Sequence, residues 1–165
     1  MVVAAEVQFY DVVVWLHVAS VVVGFGPTFA FGIYLATAGR KYPRSLPAIL
    51  DAQCTISRTM VTLAALVILG SGIYLAADRW EFSDFFVVAG LVAIVVLLGM
   101  VHGFFVPNEV RAREVAERDI EASGPGEVKF SDEFERRMRG SAIAGPISGL
   151  IVILTIYFMT TKPFL

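Results

Sequence analysis

His17, in WLHVASVVVGFGPTFAFG, and His102, in GMVHGFF, are the two histidines of the chain, and both sit in strongly apolar surroundings. An imidazole placed there can hold a haem or metal ion, relay a proton, or hydrogen-bond a neighbouring polar group. Three hydroxyls, Thr28, Thr62 and Ser141, stand in or beside the same apolar stretches, together with Pro27 and Pro146. Each proline removes a backbone donor, so the carbonyls of Val23 and Ala142 lose their helical partners. Gly24, Gly26 and Pro27 mark an expected break in the first stretch, and Pro146 marks one in the last.

Other chemistry is poorly supplied. Four apolar runs, Val12–Leu35, Met60–Ala77, Phe85–Val106 and Ala142–Met159, contain no Cys and no carboxylate. A four-coordinate metal site would lack donors in them, and they hold no nucleophile motif, phosphate loop or paired carboxylates. No catalytic residue is assigned, and the chain reads as non-enzymatic. The single Cys54 cannot form an internal disulfide.

The elements that position these groups follow from the same runs. Of 165 residues, 57% are hydrophobic, more than a soluble domain of this size buries, so the excess must face lipid. Each run approaches the ~20 residues that cross ~30 Å of hydrocarbon as a helix. Continuous runs exclude the alternating strands of a membrane barrel. The sequence therefore predicts one all-α domain over residues 1–165, a four-helix transmembrane bundle with helices at about 9–37, 58–78, 84–106 and 141–160. Met1–Tyr10 has no Lys or Arg and includes Glu6, so the first run reads as a retained helix, not a cleaved signal.

Charge orients the bundle. Four basic residues lie in 39–59 and seven in 107–140, leaving Arg79 and Lys162 for the other side. This eleven-to-two split places both large loops in the cytoplasm and both termini outside a cytoplasmic (inner) membrane. Residues 107–140 read as a helical hairpin extending helices 3 and 4: opposite charges at Glu109/Arg113, Arg113/Glu117 and Glu114/Arg118 suit solvated helix, and Ser123-Gly124-Pro125-Gly126 marks the turn. A second charged helix starts at Asp132, with Glu135 placed for a capping box. Phe130, Phe134 and Met138 form one apolar stripe. With nine acids against seven bases, the hairpin is a poor nucleic-acid ligand, and its charges suit solvation or a cytoplasmic partner.

Small residues suggest where helices approach. Gly99-x-x-x-Gly103 and Ser141-x-x-x-Gly145-x-x-x-Gly149 predict close packing of helices 3 and 4, with a homo-oligomer as the alternative use. The short connection around Trp80 makes helices 2 and 3 antiparallel neighbours. Tyr10, Trp15, Trp80 and Phe82 suit the outer interface, and Tyr34 the inner.

Depth separates the two histidines. At 1.5 Å per residue, His102 and Pro146 lie about 6 Å and Pro27 roughly 12 Å from the cytoplasmic ends of their runs. Thr28, Thr62 and Ser141 fall at similar depth, so with His102 they either satisfy a kinked backbone or line a polar cavity open to the cytoplasm. His17 lies about 8 Å below the outer end, level with Ser71 and roughly 15 Å from His102 along the membrane normal, too far for both to bind one haem iron.

WLHVASVVVGFGPTFAFG, SRTMVTLAALVILGSGIYLA followed by Trp80, and GLVAIVVLLGMVHGFFVPNEVRA together resemble a bacterial family of small four-helix integral membrane proteins of unknown function, over most of the chain up to about Glu117. The Leu16-His17 pair and the glycines after it are also distantly similar to the first helix of copper-resistance membrane proteins and of the membrane protoporphyrinogen oxidase group. That likeness implies haem or copper chemistry at His17, although a second histidine layer and methionine-rich copper motifs are missing here. Two expectations result: a small transport component or membrane-complex subunit with a cytoplasmic-side polar cavity, and, as the alternative, a haem- or metal-binding redox protein using His17.

Overall fold

The computed structural model describes residues 8–163; the remaining residues, Glu6 among them, lie outside the described part. Among the described residues the chain is helical, and four helices are long and apolar enough to span a membrane: α1 (Phe9–Lys41), α2 (Pro43–Arg79), α3 (Phe85–Ser123) and α4 (Asp132–Thr161). Three of them change their winding partway. α1 tightens to a 3-10 turn over Gly26–Ala30, while α2 and α3 each widen to a π turn, over Ser57–Val61 and Val101–Phe105.

The 3-10 turn falls at the expected break, where Pro27 has no N–H to give and the Thr28 hydroxyl donates to the Phe25 carbonyl at 2.6 Å. Pro146 behaves differently. It lies inside a continuous helix of 30 residues, so the expected interruption of α4 is absent; one missing donor does not unwind a helix whose other backbone groups are bonded. Gly24 likewise belongs to α-helix rather than to the break. α1 also runs on through Gly39-Arg40-Lys41, beyond its expected end.

Glycine at 24 has a packing role. A Cβ built there would lie 2.3 Å from the Ala64 Cβ, so the α1–α2 crossing depends on its absence. The predicted small-residue seam between α3 and α4 is not the close contact: Gly99, Gly103 and Gly145 face nothing within 4 Å, and Gly149 meets Phe29 of α1. α3 and α4 pack elsewhere, with Gly90 under the Met159 methyl. The membrane-spanning half of α4 buries only Val152, leaving Ile143, Ile147, Leu150 and Leu154 exposed for lipid to cover.

Besides a small cluster of Ala76, Phe86 and Val87 near the 80–84 connection, two larger cores stack along the bundle. One, built on Phe25, Val61, Ala65, Ile94, Leu97 and Val101, joins the apolar runs of the helices. The other lies beyond those runs, where the fully buried Leu46 and Leu50 at the start of α2 meet Ala112, Val115 and Ala116 of α3 and Phe134 of α4. The first turns of α2 and the 107–140 hairpin thus share a core of their own. Phe130 stacks on Phe134 with ring centroids 4.4 Å apart, and Met138 packs against the same cluster.

The hairpin turn is fastened by side chains. Gly124 takes φ +58°, a conformation that favours glycine, and Arg44 donates to the Gly124 and Gly126 carbonyls. Asp119 accepts from the Ser131 N–H at 2.8 Å and from its hydroxyl at 2.7 Å. Ser131, and not Asp132, caps α4, accepting from the Phe134 N–H at 3.5 Å, so the expected capping box with Glu135 is not formed. Of the three expected i,i+4 pairs only Arg113–Glu117 forms, at 3.8 Å. Arg113 also reaches Asp51 of α2, and Arg118 turns to Asp119 and Glu133.

At the opposite end the N-terminal turn of α1, the 80–84 connection and Lys162 at the end of α4 come together. Trp80 donates to the Tyr10 hydroxyl at 3.3 Å, Arg79 lies 3.7 Å over the Tyr10 ring, and Lys162 lies 3.7 Å over the Trp80 ring. The two bases outside the large loops are therefore both held on aromatic faces.

Candidate functional site

The π turns of α2 and α3 pack side by side, and the Thr62 hydroxyl and His102 Nε2 meet between them at 3.0 Å. A π turn shifts the backbone ladder by one residue and leaves carbonyls poorly served. Thr62 compensates by donating to the Ser57 carbonyl, five residues back, at 3.1 Å. Its hydrogen being used there, the Thr62 oxygen accepts from His102, which assigns the imidazole proton to Nε2 and leaves Nδ1 as the acceptor. One turn earlier, Thr59 donates to the Thr55 carbonyl at 2.7 Å.

Beside this pair opens a cleft of about 510 Å³ lined by Arg58, His102, Val106, Pro107, Val110, Arg111 and Glu114. Arg58 comes from the π turn of α2, His102 from that of α3, and the rest from the following turns of α3. Neither Arg58 nor Arg111 forms an ion pair among the described residues, whereas Arg113, Arg118 and Arg137 each do. Glu109, on the same stretch of α3, is buried, and its Oε2 has no hydrogen-bond partner.

The four hydroxyl and imidazole groups named from the sequence do not converge on one point. Thr62 and His102 are bonded; Thr28 serves its own 3-10 turn; Ser141 accepts from Asn108 Nδ2 at 3.0 Å, tying α4 to α3. Asn108 also donates to the Arg137 carbonyl at 3.2 Å. Arg58, Arg111 and Glu114 were not singled out as site residues by sequence reasoning, because each reads as an ordinary solvated or snorkelling charge. A second cleft of about 500 Å³, between the end of α1 and the start of α2, is apolar and includes Tyr34, Tyr42 and Gln53. Gln53 is buried, donates to the Phe31 carbonyl at 3.1 Å and leaves its Oε1 unpartnered.

His17 belongs to a separate layer. Its Nδ1 lies 2.8 Å from Ser71 Oγ, and Ser71 in turn donates to the Val67 carbonyl at 2.6 Å. The serine oxygen therefore accepts from Nδ1–H, which leaves Nε2 with the lone pair. Gly72 makes room for the ring, since a Cβ there would stand 3.2 Å from His17 Cε1. Among the described residues no group of three or more His, Cys, Asp or Glu side chains is placed to hold a metal ion. His17 and His102 are each hydrogen-bonded within separate layers, to Ser71 and to Thr62, and do not face one another as a pair of haem ligands would.

Residues 11–163 match the family described as predicted integral membrane protein (DUF2269). The chain belongs to this family. The match runs past Glu117 through the hairpin and α4, so it covers all four helices of the chain. No curated protein and no solved structure matches the chain. What stands is an integral, multi-pass membrane protein of a family of unknown function.

Proposed function

We propose that this DUF2269 member is a non-enzymatic protein of the cytoplasmic membrane, with both termini outside and the hairpin in the cytoplasm. It acts as a small transport component or membrane-complex subunit through the polar cleft at its cytoplasmic side. The eleven bases of the two large loops support the orientation. The observation that carries the functional reading is the Thr62–His102 bond between paired π turns beside the cleft. Irregular winding at membrane depth is tolerated where it lines a cavity or is buried in protein, and π turns occur often at functional positions.

Native gels of mildly solubilised membranes test the reading. Full-length protein should migrate in an assembly larger than the monomer, and Thr62→Ala/His102→Ala should weaken that assembly or abolish a transport phenotype of the deletion strain. A variant indistinguishable from wild type in both assays would remove the support for the cleft.

A further inference from the structure

We infer that the cleft holds the phosphate group of a phosphorylated ligand, with a membrane phospholipid headgroup as the source its position favours. This deepens the cleft reading above and rests on it. Arg58 and Arg111 face one space from two different helices, and neither is neutralised by an ion pair among the described residues. Two guanidiniums bordering one cleft are suited to phosphate oxygens, which each can bind through paired N–H donors. Glu114 also lines the cleft, so its walls set two guanidiniums against one carboxylate. Glu109 attracts Arg58 electrostatically but makes no ion pair with it, and its free oxygen is closed off from solvent.

The remaining walls explain why a lipid is favoured over a free anion. Val106, Pro107 and Val110 give the cleft an apolar side, which a free phosphate would leave uncovered and a glycerol backbone or first acyl carbons would cover. Its depth agrees. Arg58 stands two residues before the apolar run that opens at Met60, and Arg111 five residues beyond the run that closes at Val106. That is the boundary between hydrocarbon and headgroups, where basic pockets between helices take lipid phosphates.

Native mass spectrometry of the full chain released from detergent micelles reads ligand retention directly. Wild type should carry a bound phospholipid, and Arg58→Gln/Arg111→Gln should reduce its occupancy about tenfold or more, since two charge-assisted contacts are lost. Arg58→Lys/Arg111→Lys should recover part of it. Arg136→Gln/Arg139→Gln, the same change of charge outside the cleft, should leave retention unchanged. Arg111→Gln alone, at an exposed helical position, repeats the test without threatening the fold.

Delipidated protein titrated with inorganic phosphate separates the two sources. Binding that depends on Arg58 and Arg111 would assign the site to soluble phosphates, and phospholipid retention alone would assign it to the headgroup. A lipid adduct that survives the Arg58/Arg111 change while phosphate fails to bind, or one lost equally in the Arg136/Arg139 variant, would overturn the inference. Either result leaves the assembly test of the cleft intact, so the two readings fail separately.

Discussion

His102 of α3 and Thr62 of α2 are joined across two π turns, imidazole Nε2 to hydroxyl oxygen at 3.0 Å. The same hydroxyl donates to the Ser57 carbonyl, so one threonine both mends the ladder of its own helix and orients the histidine of the next. Thr62→Val should lose both bonds and lower the thermal midpoint in detergent, at a cost of about 1–2 kcal/mol. Thr62→Ser, which keeps the hydroxyl, should stay close to wild type. Equal midpoints for the Val and Ser variants would show that the pair contributes nothing to holding α2 on α3.

The crossing of α1 on α2 makes a prediction of a different kind. Gly24→Ala should destabilise, because its new methyl would lie 2.3 Å from the Ala64 Cβ. Overpacking of this sort costs about 1–3 kcal/mol. Gly24→Ala/Ala64→Gly should recover most of the loss by restoring the space. Thermal unfolding of the four variants gives the coupling; simple additivity would mean that the two residues do not oppose each other.

Asp119 links hairpin stability to pH. Burial disfavours its ionised form, but hydrogen bonds from the Ser131 N–H and hydroxyl, and the Arg118 guanidinium, outweigh it and hold the carboxyl below its ordinary 3.8. A carboxylate depressed by folding contributes stability that is present above the unfolded value and lost as pH falls through the folded one. Amide exchange across 123–131 should therefore accelerate as pH drops below about 4, beyond the intrinsic pH dependence of exchange. Asp119→Asn should be loose already at neutral pH and show no such step. A wild-type hairpin whose corrected exchange is flat through that range would contradict the clasp.

His17 is accounted for by Ser71, with Nδ1 to Oγ at 2.8 Å. If that bond is its role, purified protein shows no Soret band and no stoichiometric metal, while His17→Ala lowers the thermal midpoint at a cost of about 1 kcal/mol of stability. A Soret band in wild type that His17→Ala abolishes would instead establish the haem reading.

Much of the architecture was legible because lipid imposes simple rules. Runs of apolar residues near the thickness of the bilayer had to be helices, and the turn at Ser123–Gly126 ended α3 where glycine was needed. The level match of His17 with Ser71 came from rise per residue alone, as did that of Thr62 with His102. The π turns were not legible: SRTMV and VHGFF contain no proline, and an i→i+5 ladder has no residue signature comparable to a proline break. Nor was the choice among glycines. Gly24 approaches Ala64 while Gly99 and Gly103 face open space, a difference set by helix rotation, which spacing within one helix does not encode. Partner choice among the hairpin charges was legible only for Arg113 and Glu117, since Arg113 also reaches Asp51 and Arg118 turns to Glu133 on other helices.

A role for the Arg58–His102 cleft in the cytoplasm requires that it open on that side of the membrane. In a Cys54→Ala background, a cysteine replacing Arg111 at the lip of the cleft and one replacing Phe82 in the 80–84 connection are challenged with a membrane-impermeant maleimide. Phe82→Cys should label in intact cells and Arg111→Cys only after permeabilisation. Labelling of Arg111→Cys in intact cells, with Phe82→Cys protected, would invert the topology and contradict a cleft that serves the cytoplasm.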